Sequence, residues 1–128
     1  MLRFFYIGAG GAAGSLLRYW ISEEVHRFLG SGFPWGTLCI NLSGSLIIGF
    51  LWALFEFFTV SHDIKLMLFI GFLGSFTTFA TFSLENLNLY HDGEYAFLAV
   101  NVFASILFGL ALVYAGHFTG RYLLGFIR

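Results

Sequence analysis

The sequence predicts an all-α membrane protein of four transmembrane helices, the third of them broken near its centre. Three observations lead there. Hydrophobic residues make up 59% of the 128-residue chain and charged residues only 10%, where an ordinary soluble domain carries about 25% charged residues; mean hydropathy is +0.85. The apolar residues fall into four runs, each near the ~20 residues that a helix needs to cross a bilayer. The third run carries a cluster of small and hydroxylated residues, GFLGSFTTFATFSLE from Gly71 to Glu85, inside a stretch otherwise apolar enough to span.

The expected spans are residues 4–22, 35–55, 64–90 with a break near 74–78, and 95–117, forming one domain over residues 1–128. In the first span Gly10, Gly14 and Arg18 recur every four residues and share a face, on which glycines let another helix approach closely. Arg18 is costly in lipid and must meet protein or water, or snorkel to the interface. No charged stretch followed by a short apolar core and a cleavage site is evident, so the segment is expected to be retained. The second span gathers Thr37, Asn41, Gly44 and Ser45 on one face. Asn41 brings a carboxamide that must find partners away from water, across a helix interface or toward an anion. Cys39, alone, forms no disulfide within the chain and is expected to pack as a small hydrophobe.

The third span holds no Lys, Arg, Asp, Glu or His between Leu66 and Leu84. Gly74, Ser75, Thr77 and Thr78 make a poor helix interior, which implies a break whose freed carbonyls, Gly74 and Thr77 foremost, are open to a cation. Phe79 and Phe82 follow on one face. With 18 phenylalanines in the chain, packing is the default for this pair; the positive edges of aromatic rings, with Ser, Thr and Asn donors, could instead line a weakly polar anion path. Glu85 is expected near the interface and solvated. The fourth span repeats a stripe, Asn101, Ser105 and Gly109, spaced for helix contact or for a shared polar path.

Six basic and seven acidic residues give a net charge of −1 and no basic patch, which argues against nucleic acid. Four spans would set Arg3, Lys65, Arg121 and Arg128 against Arg18 and Arg27 across the bilayer, a weak orientation bias. No metalloprotease, dithiol, phosphate-loop or triad pattern occurs, so no enzyme is expected, and His26, His62, His91 and His117 read as exposed histidines near span ends.

Gly36-Thr37-Leu38 leading to Asn41-Leu42-Ser43-Gly44, then Gly71-Phe72-Leu73-Gly74 and Thr77-Thr78-Phe79-Ala80-Thr81-Phe82-Ser83, closely resemble the Fluc family of fluoride channels, also called CrcB proteins. The Gly10, Gly14, Arg18-Tyr19 run fits as well, and the resemblance covers essentially the whole chain. It implies a passive fluoride exporter of the bacterial inner membrane, assembled as an antiparallel homodimer of dual-topology subunits with a structural sodium ion at the dimer interface. By that resemblance Phe79 and Phe82 meet fluoride with their ring edges, Asn41 supplies a pore amide, Ser105 a pore hydroxyl, and Thr37 and Glu85 a polar route beyond the rings. Gly74 and Thr77 would give carbonyls to sodium, and Arg18 would stand at a vestibule. Asn101 stands where a tyrosine can occur and Gly109 where a second serine can, which leaves the fourth-helix lining open.

Two other functions compete. A proton-coupled exporter of the small multidrug resistance type needs a carboxylate deep in the membrane, and Glu56 and Glu85 fall at predicted span ends. A non-transporting assembly subunit would explain the small-residue stripes without their convergence on an interrupted span.

Overall fold

The computed structural model describes residues 1–126, so Arg128, counted above for orientation, lies outside the described residues. These residues form helices and connections with no strand among them. Helix α1 runs Leu2–Leu29 and α2 Trp35–Phe57. A third unit then winds in pieces: α3 (His62–Lys65), a π-helical segment Leu66–Leu73, α4 (Gly74–Phe76) and α5 (Phe79–His91). Helix α6, Tyr95–Gly125, completes the chain.

Three of these units are long and apolar enough to cross a membrane: Trp35–Phe57, His62–His91 and Tyr95–Gly125. The protein is therefore an integral membrane protein. Helix α1 has 28 residues, about 42 Å at 1.5 Å per residue, but its glycines and the charges at Arg3, Arg18, Glu23, Glu24 and Arg27 dilute its apolarity. It is not among the three, and it packs closely on one of them. A methyl at Gly10 would meet the Met67 carbonyl oxygen and stand 3.0 Å from the Phe72 nitrogen, and one at Gly14 would meet the Phe72 carbonyl and stand 3.1 Å from the Phe76 nitrogen. Gly71 returns the contact, lying against the Ile7 carbonyl. Backbone thus meets backbone along the glycine face expected from the four-residue spacing, beside a membrane-depth segment.

The second close pair is α2 with α6. Gly49 lies against the Val113 carbonyl and Gly116 against the Leu46 carbonyl, while Gly120 sits on Ala53. Helix ends are closed locally. Ser61 Oγ accepts from the Ile64 N–H at 3.4 Å to start α3, and Gly93, at φ 77°, turns the chain between α5 and α6 while the Glu94 N–H bonds the Leu89 carbonyl at 2.9 Å. Arg3 and Asp63 approach to 3.6 Å, placing the N-terminus and the α2–α3 connection at one end of the bundle.

Outward faces are apolar. Phe103, Phe108, Leu110 and Phe118 of α6 are all exposed in the single chain, a surface suited to lipid or to another helical subunit. The inner volume is filled by Phe76, Ile40, Leu73 and Ala53, and Phe76 stacks on Phe72 at 5.7 Å with rings 6° from parallel.

Candidate functional site

Between α4 and α5 the backbone leaves helical geometry. Thr77 has φ −80° and ψ 157° and Thr78 has φ −151° and ψ 118°. Just upstream, the Gly74 N–H reaches Phe69 and Gly71 carbonyls, the wider winding that accommodates an extra residue. A continuous helix would give the Thr78 N–H to the Gly74 carbonyl and the Thr81 N–H to the Thr77 carbonyl. Here the Thr78 N–H goes to Asn41 Oδ1 at 2.9 Å, and the Thr81 N–H to Thr78 Oγ1 at 3.2 Å. Gly74 and Thr77 carbonyls lose those helical donors.

Asn41 is the partner of this interruption. Its Nδ2 donates to the Thr78 carbonyl at 3.1 Å while its Oδ1 accepts from the Thr78 N–H, so one side chain pairs both polar groups of an extended peptide at membrane depth. This is an interhelical role, and it still leaves the second Asn41 N–H uncommitted. The rest of the α2 polar face turns the same way. Gly44 lies against Thr77 and Phe76, and Ser45 Oγ donates to the Asn41 carbonyl at 2.8 Å. Asn41, Gly44, Gly74, Thr77, Thr78 and Phe79 border one open groove of about 340 Å³.

Phe79 is 79% exposed and its ring centre lies 5.7 Å from that of Phe82, at 37° between planes. In the single chain the pair forms a shared aromatic edge on the outer side of the groove. Beyond it, Thr37 is buried and its Oγ1 donates to Glu85 Oε1 at 2.6 Å. Glu85 departs from the expected solvated position: the residue is half-buried, and Oε2 is buried with no partner among the described residues. His26 departs as well, for it is half-buried, 3.5 Å from Ser22 Oγ, and packed on Gly36 beside Thr37. Replacing Thr37 by Val strips Glu85 of its one donor, so the purified protein should lose about 1 kcal/mol of stability, read as a lower unfolding midpoint; an unchanged midpoint would show the bond to be idle.

Ser105 is half-buried and its Oγ has no partner among the described residues. Arg18 stands apart, half-buried on α1, with no ion pair among the described residues. The site also contains a residue that sequence spacing did not single out, Asn86, which accepts from Asn101 Nδ2 at 3.1 Å and donates to the Phe82 carbonyl at 2.8 Å. Its four-residue offset from Phe82 was the available signal. Its neighbours Glu85, Asn88 and His91 are polar too, so one more asparagine does not stand out among them.

A family model described as CrcB-like protein, Camphor Resistance (CrcB), matches residues 5–117. The chain belongs to this family. Among curated CrcB relatives, one from Magnetococcus marinus is 41% identical over 121 residues, 94% of this chain and 98% of its own length. One from Parabacteroides distasonis is 38% identical over the full length of both chains, and one from Bacteroides fragilis is 42% identical over 124 residues, 94% of this chain and 98% of its own. Each of the three is named a fluoride-specific ion channel FluC.

Proposed function

We propose that the chain is one subunit of a passive, fluoride-selective channel in the bacterial inner membrane, working as an antiparallel dual-topology homodimer with a structural sodium ion at the dimer interface. The observation that carries this reading is the groove around Thr78, where the uncommitted Asn41 N–H, the Phe79 edge and an interrupted backbone meet, in a chain whose near-full-length relatives are named for fluoride. Toward hydrogen-bonding groups fluoride is an acceptor only and never a donor. Along this path the Asn41 amide, the edges of Phe79 and Phe82 and the Ser105 hydroxyl offer positive hydrogens without a fixed cation, so the ion is attracted and still released. Thr37 and Glu85 continue the route, and Arg18 marks its vestibule.

The open groove supports a second copy. One chain leaves Phe79 facing outward, whereas a copy related by a two-fold axis in the membrane plane would cover it. The four-against-two division of basic residues agrees with insertion in both orientations. Gly74 and Thr77 carbonyls fit a sodium ion: they are hard neutral oxygens deprived of their helical donors. Two from each subunit would supply four oxygens, and bound sodium would pin the two interruptions together.

Purified protein in liposomes loaded with both halides tests the reading. Fluoride should leave passively, without a proton gradient, while chloride stays. Equal release of the two, or none of either, would overturn it. The half-buried Glu85 is the single observation that favours a proton-coupled exporter, and efflux that requires a pH gradient would transfer the assignment there. Within the channel reading, Phe79→Ile or Phe82→Ile keeps bulk and deletes the ring edge. Fluoride flux per dimer should fall about tenfold, equivalent to about 1.4 kcal/mol, with assembly on a sizing column unchanged; undiminished flux in both variants would remove the aromatic role.

A further inference from the structure

We infer that Asn86 and Asn101 are positioning residues that set the angle of the Phe82 ring, a role that rests on the channel reading above. Helix α5 carries both rings, yet its one buried residue is Leu89. Packing alone holds it weakly. What ties it to the bundle are three polar pairs: Thr78 with Asn41, Glu85 with Thr37, and Asn86 with Asn101. The first two attach α5 to α2. The third is its polar attachment to α6, and it lies one turn beyond Phe82 on the same face.

The bonding order fixes which way each amide points. Asn86 Nδ2 donates to the Phe82 carbonyl at 2.8 Å, so Asn86 presents Oδ1 outward, and Asn101 must turn Nδ2 to it at 3.1 Å. Asn101 is 1% exposed, on a helix whose backbone is locked on α2 through Gly49 and Gly116. The chain of contacts therefore runs from the rigid α2–α6 pair, through two amides, to the backbone of Phe82 itself. A 20° rotation of α5 would carry a side chain near the helix surface by about 2 Å, enough to swing a ring edge away from a small ion.

The test is fluoride efflux per assembled dimer in liposomes, with dimer recovery measured separately. Asn101→Leu, which removes one buried hydrogen bond, should lower flux about tenfold; Asn86→Leu, which also removes the bond to the Phe82 carbonyl, should lower it at least as far, and the double variant should be no worse than Asn86→Leu, because both break the same tie. Asn86→Gln, which keeps both the N–H that donates to the Phe82 carbonyl and the oxygen that accepts from Asn101, should retain clearly more flux than Asn86→Leu. Full flux in Asn86→Leu, single losses that multiply to about a hundredfold in the double, or equal loss in Asn86→Gln and Asn86→Leu would each overturn the assignment. Should the unaltered protein release no fluoride, the channel reading fails first; normal release with indifferent variants fails this inference alone.

Discussion

Asn41→Leu is expected to silence fluoride release and to destabilise the protein more than any other single polar replacement in the bundle. The side chain pairs with the N–H and the carbonyl of Thr78 together. Leucine fills much of the same volume and offers neither partner. Two backbone groups would then lie unpaired in a region without water, at about 1–3 kcal/mol each by protein measurements and more where lipid is the alternative. The combined cost, about 2–6 kcal/mol, is large for a small bundle. Two separate measurements check it: the unfolding midpoint in detergent, and flux per amount of protein that survives purification.

A control separates this from any loss of an asparagine. Asn88 lies on the exposed side of α5 and its side chain has no hydrogen bond among the described residues. Asn88→Leu should stay within about 0.5 kcal/mol of the unaltered protein and keep its flux. If Asn41→Leu behaves like Asn88→Leu, the Thr78 pairing contributes nothing, and the groove loses the contact that organises it.

The bundle was legible in the sequence wherever lipid leaves little choice. Charge-free runs mark α2, the third unit and α6, because every polar group placed there must be answered from within the protein. The faces were legible too: Gly10 and Gly14 meet backbone, and the α2 stripe from Thr37 to Ser45 turns toward the third unit. Pairings between elements were not legible. Nothing in the spacing joins Thr37 to Glu85 or Asn86 to Asn101, because both pairs arise only after the third unit is folded back on α2 and α6. Glu85 read as solvated because it is the first charge after the run from Leu66 to Leu84, whereas the fold sets this face of α5 against α2 and Thr37. The π-helical winding of Leu66–Leu73 had no signal either. Its apolar residues suit ordinary helix equally well, and the wider turn is registered only in the hydrogen bonds upstream of Thr77.

Gly49 and Gly116 carry the second large expectation, for they set the distance between the two helices on which the site depends. A methyl at 49 would meet the Val113 carbonyl oxygen and stand 3.1 Å from the His117 nitrogen; one at 116 would meet the Leu46 carbonyl oxygen and stand 3.0 Å from the Phe50 nitrogen. These obstacles are helix backbone, which cannot swing aside as a side chain does. The helices must separate, giving up dispersion contacts along their length. Gly49→Ala and Gly116→Ala should each cost about 1–3 kcal/mol, and Gly116→Leu should prevent recovery of folded protein. The two alanine effects should not add, because one separation of α2 from α6 relieves both clashes, so the double variant should lose clearly less than the sum. Additive losses would mean that the backbones yield locally at each glycine. Unchanged midpoints in both single variants would mean that α2 and α6 stand farther apart than the structure has them, and Asn101 with them.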